Sequence, residues 1–192
     1  KNGEPSFYAP GHGDLISSFK RSGMLDTFIK ENGKYIMISN VDNILATVDP
    51  EILGFHILSE KLMTTEVAPL FSGDKGGAPV LIDKKVQLLE GFRFPEKFDF
   101  TTLKVFNTNT FIFSAEIFLK DHNLTWFAVE KEINNSKVIQ FERLIGELSA
   151  FIESNYIEIK RSGLEARFIP IKIQEDLDEN RDELKEIISG RL

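Results

Sequence analysis

Several short segments place side chains where they could do chemistry. Asn40-Val41-Asp42-Asn43 follows directly on the apolar run Tyr35-Ile36-Met37-Ile38-Ser39. In open α/β sheets, ligands sit at the carboxyl ends of strands. A carboxylate between amides at such a place suits Mg²⁺ held by one or two carboxylates together with substrate phosphate oxygens. The same residues also make an ordinary capped turn. Gly11-His12-Gly13-Asp14 sets a histidine between glycines at a helix start, where backbone N–H groups can approach an anionic ligand; a surface-loop histidine reads the same way. Asn107 and Asn109 stand two apart inside an apolar strand, on one face by the period of two. Buried amides need partners, and either a sugar's hydroxyls or neighbouring backbone would serve. Glu90, at the end of the Val86–Leu89 run, has the same two readings. Lys172 interrupts the apolar segment Arg167-Phe168-Ile169-Pro170-Ile171-Lys172-Ile173, either as an edge residue facing water or as a point charge for phosphate. Lys75, beside Gly76-Gly77, reads best as a solvated turn lysine, with a phosphate contact as the alternative.

The elements that must carry these residues follow from periodicity and punctuation. Asp14 is placed to cap a helix whose apolar residues run from Leu15 to Ile29; Ser22-Gly23 breaks it and Gly33 stops it. Tyr35–Ser39 reads as a strand buried on both faces, as parallel strands are. A helix with Pro50 at its first position runs to about Lys61. Strands are expected at Met63–Ala68, Ala78–Asp83 and Val86–Phe92, the last two joined by a tight turn at Lys84-Lys85. Further strands are expected at Val105–Phe113, Trp126–Lys131, Val138–Phe141, Tyr156–Lys160 and Arg167–Ile173, with helices near Ala115–His122 and from Glu142 to Glu153. Residues Asp176–Leu192 read as a charged amphipathic helix. Helices alternating with apolar strands and a hairpin-like middle give an α/β class with a mixed sheet.

Composition narrows the partners. Of the 192 residues, Lys plus Arg number 23 against 30 for Asp plus Glu, a formal charge of −7. That balance opposes a broad polyanion-binding surface, so no nucleic acid is expected, while one phosphorylated small molecule needs only two or three local cations. The absence of cysteine excludes disulfides, thiolate nucleophiles and Cys-ligated metals. No apolar run nears the roughly 18–20 residues of a membrane span. No membrane partner is expected, and a cytoplasmic location is.

The order of the segments carries more than any one of them. Pro10-Gly11-His12-Gly13-Asp14, Ser39-Asn40-Val41-Asp42-Asn43 with Ala46-Thr47-Val48-Asp49, Lys75-Gly76-Gly77, Leu88-Leu89-Glu90, Phe106-Asn107-Thr108-Asn109, Val138-Ile139-Gln140-Phe141-Glu142 and Arg167-Phe168-Ile169-Pro170-Ile171-Lys172 follow one another. Together they resemble the eukaryotic-type UDP-glucose pyrophosphorylases (UTP–glucose-1-phosphate uridylyltransferases) across about residues 5–177. The resemblance implies a Rossmann-like nucleotide-sugar-transferase fold that makes UDP-glucose and pyrophosphate from UTP and glucose 1-phosphate with Mg²⁺. It also implies roles. Gly11 would touch the nucleotide base through its backbone and His12 the sugar phosphate. Asn40 and Val41 would bind substrate, Asp42 would hold Mg²⁺, Asn109 would bind the sugar, and Lys172 would be the catalytic lysine on the phosphates.

That family carries a Gly-rich nucleotide loop upstream of its Gly-His-Gly-Asp segment. The resemblance therefore implies that residues 1–192 are a single, partial catalytic domain, a fragment without that loop, inactive alone and able to self-associate through an exposed sheet edge. Two alternatives stand beside it. The related UDP-N-acetylhexosamine pyrophosphorylases usually carry Gly-Asn-Gly-Gly where this chain has Gly11-His12-Gly13-Asp14. A non-catalytic UDP-sugar-binding or scaffold module is the other.

Overall fold

The computed structural model describes residues 11–71, 74, 76–133 and 136–191. Its elements in chain order are α1 Leu15–Arg21, α2 Met24–Lys30, β1 Tyr35–Ile38, α3 Pro50–Leu58, β2 Met63–Pro69, β3 Ala78–Ile82, β4 Lys85–Leu89, β5 Val105–Ser114, β6 Phe127–Ile133, β7 Ser136–Glu142, α4 Leu148–Phe151, β8 Ser154–Glu158 and α5 Gln174–Arg191, with short 3₁₀ turns between them. Among the described residues the central sheet runs β1-β5-β2-β8, flanked by the hairpins β3-β4 and β6-β7. It is mixed: β1–β5 and β5–β2 are antiparallel, and β2–β8 is parallel.

Alternation along β5 builds a core on each face of this sheet. Phe111 and Phe113 point to one side, where they pack with Met63, Ile16 and Leu25 of the first two helices, Ile145 and Leu148. Ile112 and Phe106 face the other, against Ile52 of α3, Ala68 and Ile159. A third cluster seats α5, through Leu184 and Ile187, on Leu45, Ala166 and Ile169. His56 of α3 is buried, its ring 2.8 Å from Thr64 Oγ1 on β2 and 3.2 Å from Ser114 Oγ on β5.

Several elements differ from the sequence expectation for identifiable reasons. β1 is antiparallel, an edge strand and only half-buried, although Ile36 and Ile38 pack toward one core and Tyr35 and Met37 toward the other. Its apolar run records cover on both faces, which does not require parallel neighbours. Asp14 does not cap α1 with its side chain; its carboxylate pairs with Arg143 instead. The β3–β4 turn lies one residue earlier than expected, at Asp83-Lys84, both left-handed (φ 49° and 66°), as a two-residue hairpin loop requires. Ala115–Leu119 is 3₁₀ rather than a helix reaching His122.

Two corrections bear on function. Glu142–Glu153 is not one helix: Glu142 ends β7, Leu144 is extended, and α4 holds only Leu148–Phe151. Helix formation is opposed because the backbone there bonds elsewhere, Arg143 O accepting Gly13 N–H and Ile145 N–H donating to His12. Arg167–Ile173 is not a strand: it holds a single bridge, Pro170 to Asn43, and Ala166 just before it bridges Lys160. Pro170 lacks a ladder donor, and the Asn43 side chain takes the place of a neighbouring strand.

Phe113 is fully buried at the centre of the larger core. Phe113→Ala is expected to cost about 3–5 kcal/mol in chemical denaturation; a loss under about 1 kcal/mol would contradict that position.

Candidate active site

Asp42 and Lys172 come from opposite ends of the chain and are brought together by backbone. Ile171 N–H donates to Asp42 O at 2.8 Å. Beside it, Asn43 Nδ2 donates to Arg167 O at 3.0 Å and Asn43 Oδ1 accepts Ile169 N–H at 3.1 Å. Asn43 therefore laces the loop after β1 to the segment that ends in Lys172. At its far end, Asp176 Oδ2 receives the N–H groups of Lys172 and Ile173, at 2.8 and 3.1 Å, and so closes the first turn of α5. Lys172 is exposed and Asp42 half-exposed. Among the described residues neither charged group has a hydrogen-bond or ion-pair partner. Asn40 and Val41 lie exposed at the tip of the same loop.

Under this loop sits a buried ion pair that the sequence reading passed over. Arg167 Nε and Nη2 donate to Glu66 Oε2 and Oε1 at 3.0 and 2.7 Å, a two-pronged contact. Nη2 also reaches Thr47 O at 2.7 Å, and Nη1 lies 3.4 Å from Asp49 Oδ2. Glu66 is 2% exposed and Arg167 7%. A glutamate midway along a strand of buried residues was the available signal, since such a charge requires a buried partner.

The amides Asn107 and Asn109 sit at a break in the β2–β5 ladder. Glu66 pairs with Thr110 but Val67 pairs with Asn107, so the register jumps over residues 108 and 109. Asn109 takes a left-handed φ of 57°. Asn107 Nδ2 donates to Asn109 Oδ1 at 2.8 Å, and Asn109 N–H donates to Asn107 Oδ1 at 2.9 Å. Each amide thus answers the other, through a bulge rather than a regular pleat, which leaves Asn109 Nδ2 without a partner among the described residues. Thr108 Oγ1 donates to Glu66 O at 2.7 Å, joining this bulge to the ion pair.

From Asn107 a second run of contacts leads to the histidine. Asn107 N–H donates to Gly77 O at 2.7 Å. A Cβ on Gly77 would stand 2.8 Å from Leu89 O and 3.1 Å from Glu90 Oε2, so this close approach needs glycine. Glu90 and Glu142 help line a cavity of about 860 Å³ with Gly76, Phe92, Phe100 and Phe106. Burial raises the Glu90 pKa, the negative charge of Glu142 raises it further, and Arg93 opposes both. Glu142 in turn acts on His12, whose pKa burial lowers. Lys75 lies outside the described residues. No group of three or more potential metal-ligating side chains occurs among those described, and no described helix is long and apolar enough to cross a membrane.

A backbone bond thus joins the Asp42 loop to the Lys172 segment, His12 and Glu90 each feel the charge of Glu142, and the Asn107–Asn109 bulge is bonded to Gly77 on one side and Glu66 on the other. A model of the family UTP–glucose-1-phosphate uridylyltransferase matches residues 1–188. The chain belongs to this family. The UTP–glucose-1-phosphate uridylyltransferases of Hordeum vulgare and Encephalitozoon cuniculi are 31% and 32% identical over 99% and 92% of the chain. The UDP-glucose pyrophosphorylase of Leishmania major superposes with a TM-score of 0.72 at 27% identity over 88% of the chain, and one variant of that enzyme is a complex with UDP-glucose. The chain spans 42% and 37% of the two curated relatives and 41% of the Leishmania chain. The mixed α/β architecture of this uridylyltransferase family member is the one those structures share.

Two measurements test the site's construction. Arg167→Met leaves Glu66 buried without its counter-charge and should cost about 3–5 kcal/mol in denaturant unfolding, whereas Glu66→Met with Arg167→Met should recover most of that loss. A double variant no more stable than the single one would contradict the assignment. Glu90 holds its proton more tightly folded than unfolded, so its contribution to stability is present below the ordinary 4.5 and is lost as pH rises through the raised folded value. The stability of Glu90→Gln relative to the parent should accordingly be greater at pH 7 than at pH 4; equal differences at the two pH values would remove the buried-acid interpretation.

Proposed function

We propose that this chain carries the sugar-phosphate and metal side of a uridylyltransferase site, which joins UTP and glucose 1-phosphate to give UDP-glucose and pyrophosphate. The observation that carries the reading is the Ile171–Asp42 backbone bond, which ties the loop bearing Asp42 to the segment bearing Lys172, two residues whose charged ends have no partner among the described residues. Family membership supports it. In the forward reaction a phosphate oxygen of glucose 1-phosphate attacks the α-phosphorus of UTP, the bond to the β-phosphate oxygen breaks, and pyrophosphate leaves. Both reactants are anionic, so the catalytic task is positioning and charge neutralisation. Lys172, an exposed ammonium on a segment fixed at both ends, is suited to stabilising the charge that gathers on the phosphates. Its stem is flexible, but its backbone is not free to move.

Asp42 fits Mg²⁺. The ion takes one or two carboxylates and fills its remaining positions with water and phosphate oxygens, so a single unpaired carboxylate is a sufficient protein contribution. When bound, Mg²⁺ would supply further neutralisation of the phosphate charge. We assign the sugar to the cavity beside Glu90, with the unbonded amide end of Asn109 as a further contact for its hydroxyls. Glu90, protonated or ionised, offers a hydroxyl group a hydrogen-bond partner in either state. His12 is assigned to the sugar phosphate, Gly11 to the base through its backbone, and Asn40 and Val41 to the substrate edge at the loop tip. We place the reaction in the cytoplasm, which suits a chain without cysteine.

The test is pyrophosphorolysis of UDP-glucose with Mg²⁺ and pyrophosphate in the intact protein. Lys172→Ala should lower kcat by roughly 10²–10³, the range for loss of one transition-state donor. Asp42→Asn should raise the Mg²⁺ concentration needed for half-maximal rate. An intact protein without this activity toward any UDP-sugar would sink the proposal. Preference for a UDP-N-acetylhexosamine would keep the reaction and change the sugar.

A further inference from the structure

The Gly11–Asp14 turn rests on residues 142–145 through more bonds than a surface loop needs. Gly11 has φ of 85°, and a Cβ there would lie 2.5 Å from Arg143 O; one on Gly13 would lie 2.6 Å from Arg143 C. Gly13 N–H donates to Arg143 O at 2.8 Å. The glycines of this motif therefore allow one piece of chain to lie against another. The Arg143 guanidinium pairs with Asp14 at the end of the turn and lies 4.4 Å from the ring centre of Trp126. Its Nε is buried without a hydrogen-bond partner, so the ion pair and the ring hold it in place.

The consequence falls on His12. Ile145 N–H donates to His12 Nδ1 at 2.9 Å. A backbone N–H can only donate, so Nδ1 must present its lone pair, and the neutral ring carries its proton on Nε2. Protonating Nδ1 would set two N–H groups against each other. The charged group acting on the ring is Glu142 from the end of β7, with Lys131 3.4 Å from its carboxylate, and the Asp14–Arg143 pair stands at the end of the same turn. Burial lowers the ring's pKa and Glu142 partly offsets this.

We propose that Arg143 is a positioning residue for His12: fastened between Asp14 and Trp126, it holds the turn so that Ile145 N–H occupies Nδ1 and the ring offers Nε2–H as an uncharged donor. What receives that donor, a phosphate or hydroxyl oxygen, rests on the uridylyltransferase reading; the tautomer and its dependence on Arg143 do not. A neutral donor keeps its hydrogen bond across the physiological range, where a cationic one would be lost as pH rises.

The experiment is ¹⁵N NMR of the His12 ring in the intact protein through a pH titration. The parent should show the Nε2–H tautomer and a pKa below the ordinary 6.5. Arg143→Met, which keeps bulk but loses the charge, should mix the tautomers and move the pKa upward; Asp14→Asn, nearly the same in shape, should act in the same direction if the first variant fails to fold. KM for UDP-glucose should rise roughly tenfold in either, with kcat less affected, as for one weakened hydrogen bond to a charged group. An Nδ1–H tautomer in the parent, or a parent-like tautomer and pKa in both variants, would overturn the proposal. Those results would leave the uridylyltransferase reading standing, and an intact protein inactive toward UDP-sugars would leave this one standing.

Discussion

The contact between Glu66 and Arg167 is the constraint on which the site's construction depends. A carboxylate in the middle of a buried strand cannot be tolerated alone, and a guanidinium is the one cation that meets it with two parallel bonds and has donors left over. Those further donors reach Thr47 and Asp49, so a single side chain from near the end of the sequence holds both the central sheet and the loop leading into α3. Replacing such a pair with well-packed apolar groups is often neutral or stabilising, which argues that its value here is positional. It determines where residues 167–172 lie, and Asn43 then transfers that placement to the loop bearing Asp42. The main chain that carries Asp42 and the main chain that carries Lys172 are located relative to each other by buried polar bonds in which neither side chain takes part.

The bulge on β5 serves the same end by different means. Thr108 takes the Glu66 carbonyl, while Asn109 adopts a conformation that carries a cost for any residue but glycine and is least unfavourable for Asn and Asp. The reciprocal bonds between Asn107 and Asn109 offset that cost locally. A regular pleat would have placed both amides on one face; the bulge instead ties one to the other and leaves a single amide end unbonded among the described residues. Strain at a site edge, held by surrounding bonds, is a recurrent property of binding sites.

What could be read from the sequence followed how local each signal was. The α1–α2 break at Ser22-Gly23, Pro50 opening α3, the apolar run of β1 and the amphipathic α5 are decided by residues within a turn or two, and they stand in the structure near their expected places. The errors fell where distant chain competes for backbone bonds. Leu144 and Leu148 have helical spacing, yet His12 and Gly13, more than a hundred residues earlier, take the groups a helix would use. The run through Ile169 and Ile171 has a strand's composition, but Pro170 and the Asn43 side chain make it something else. The family was legible because the order of the segments along the chain resembled it. The partners of Glu66 and Arg143 were not, because they lie 101 and 129 positions away: the place of Glu66 in a buried strand signals that it needs a partner without naming one, and nothing local marks Arg143.

One division of labour among the described cations stands out in a chain with a formal charge of −7. The arginines near the site are committed to protein: Arg167 to Glu66, Arg143 to Asp14, Arg161 to Asp74, Arg93 beside Glu147. Each is also held by a backbone oxygen or an aromatic face, Arg143 over Trp126, Arg161 over Phe71 and Arg93 over Phe127. Planar, delocalised and weakly hydrated, guanidinium suits such fixed positions, whereas a lysine ammonium is a compact charge on a flexible stem that can follow a moving phosphate. Lys172 has that form and, among the described residues, no carboxylate to neutralise it. Overall charge is set by the whole surface, but the potential at a cleft is set by which nearby charges are already paired. Here the pairing of the arginines offsets much of their field, and among the described residues Lys172 and Asp42 carry charges that no protein partner balances.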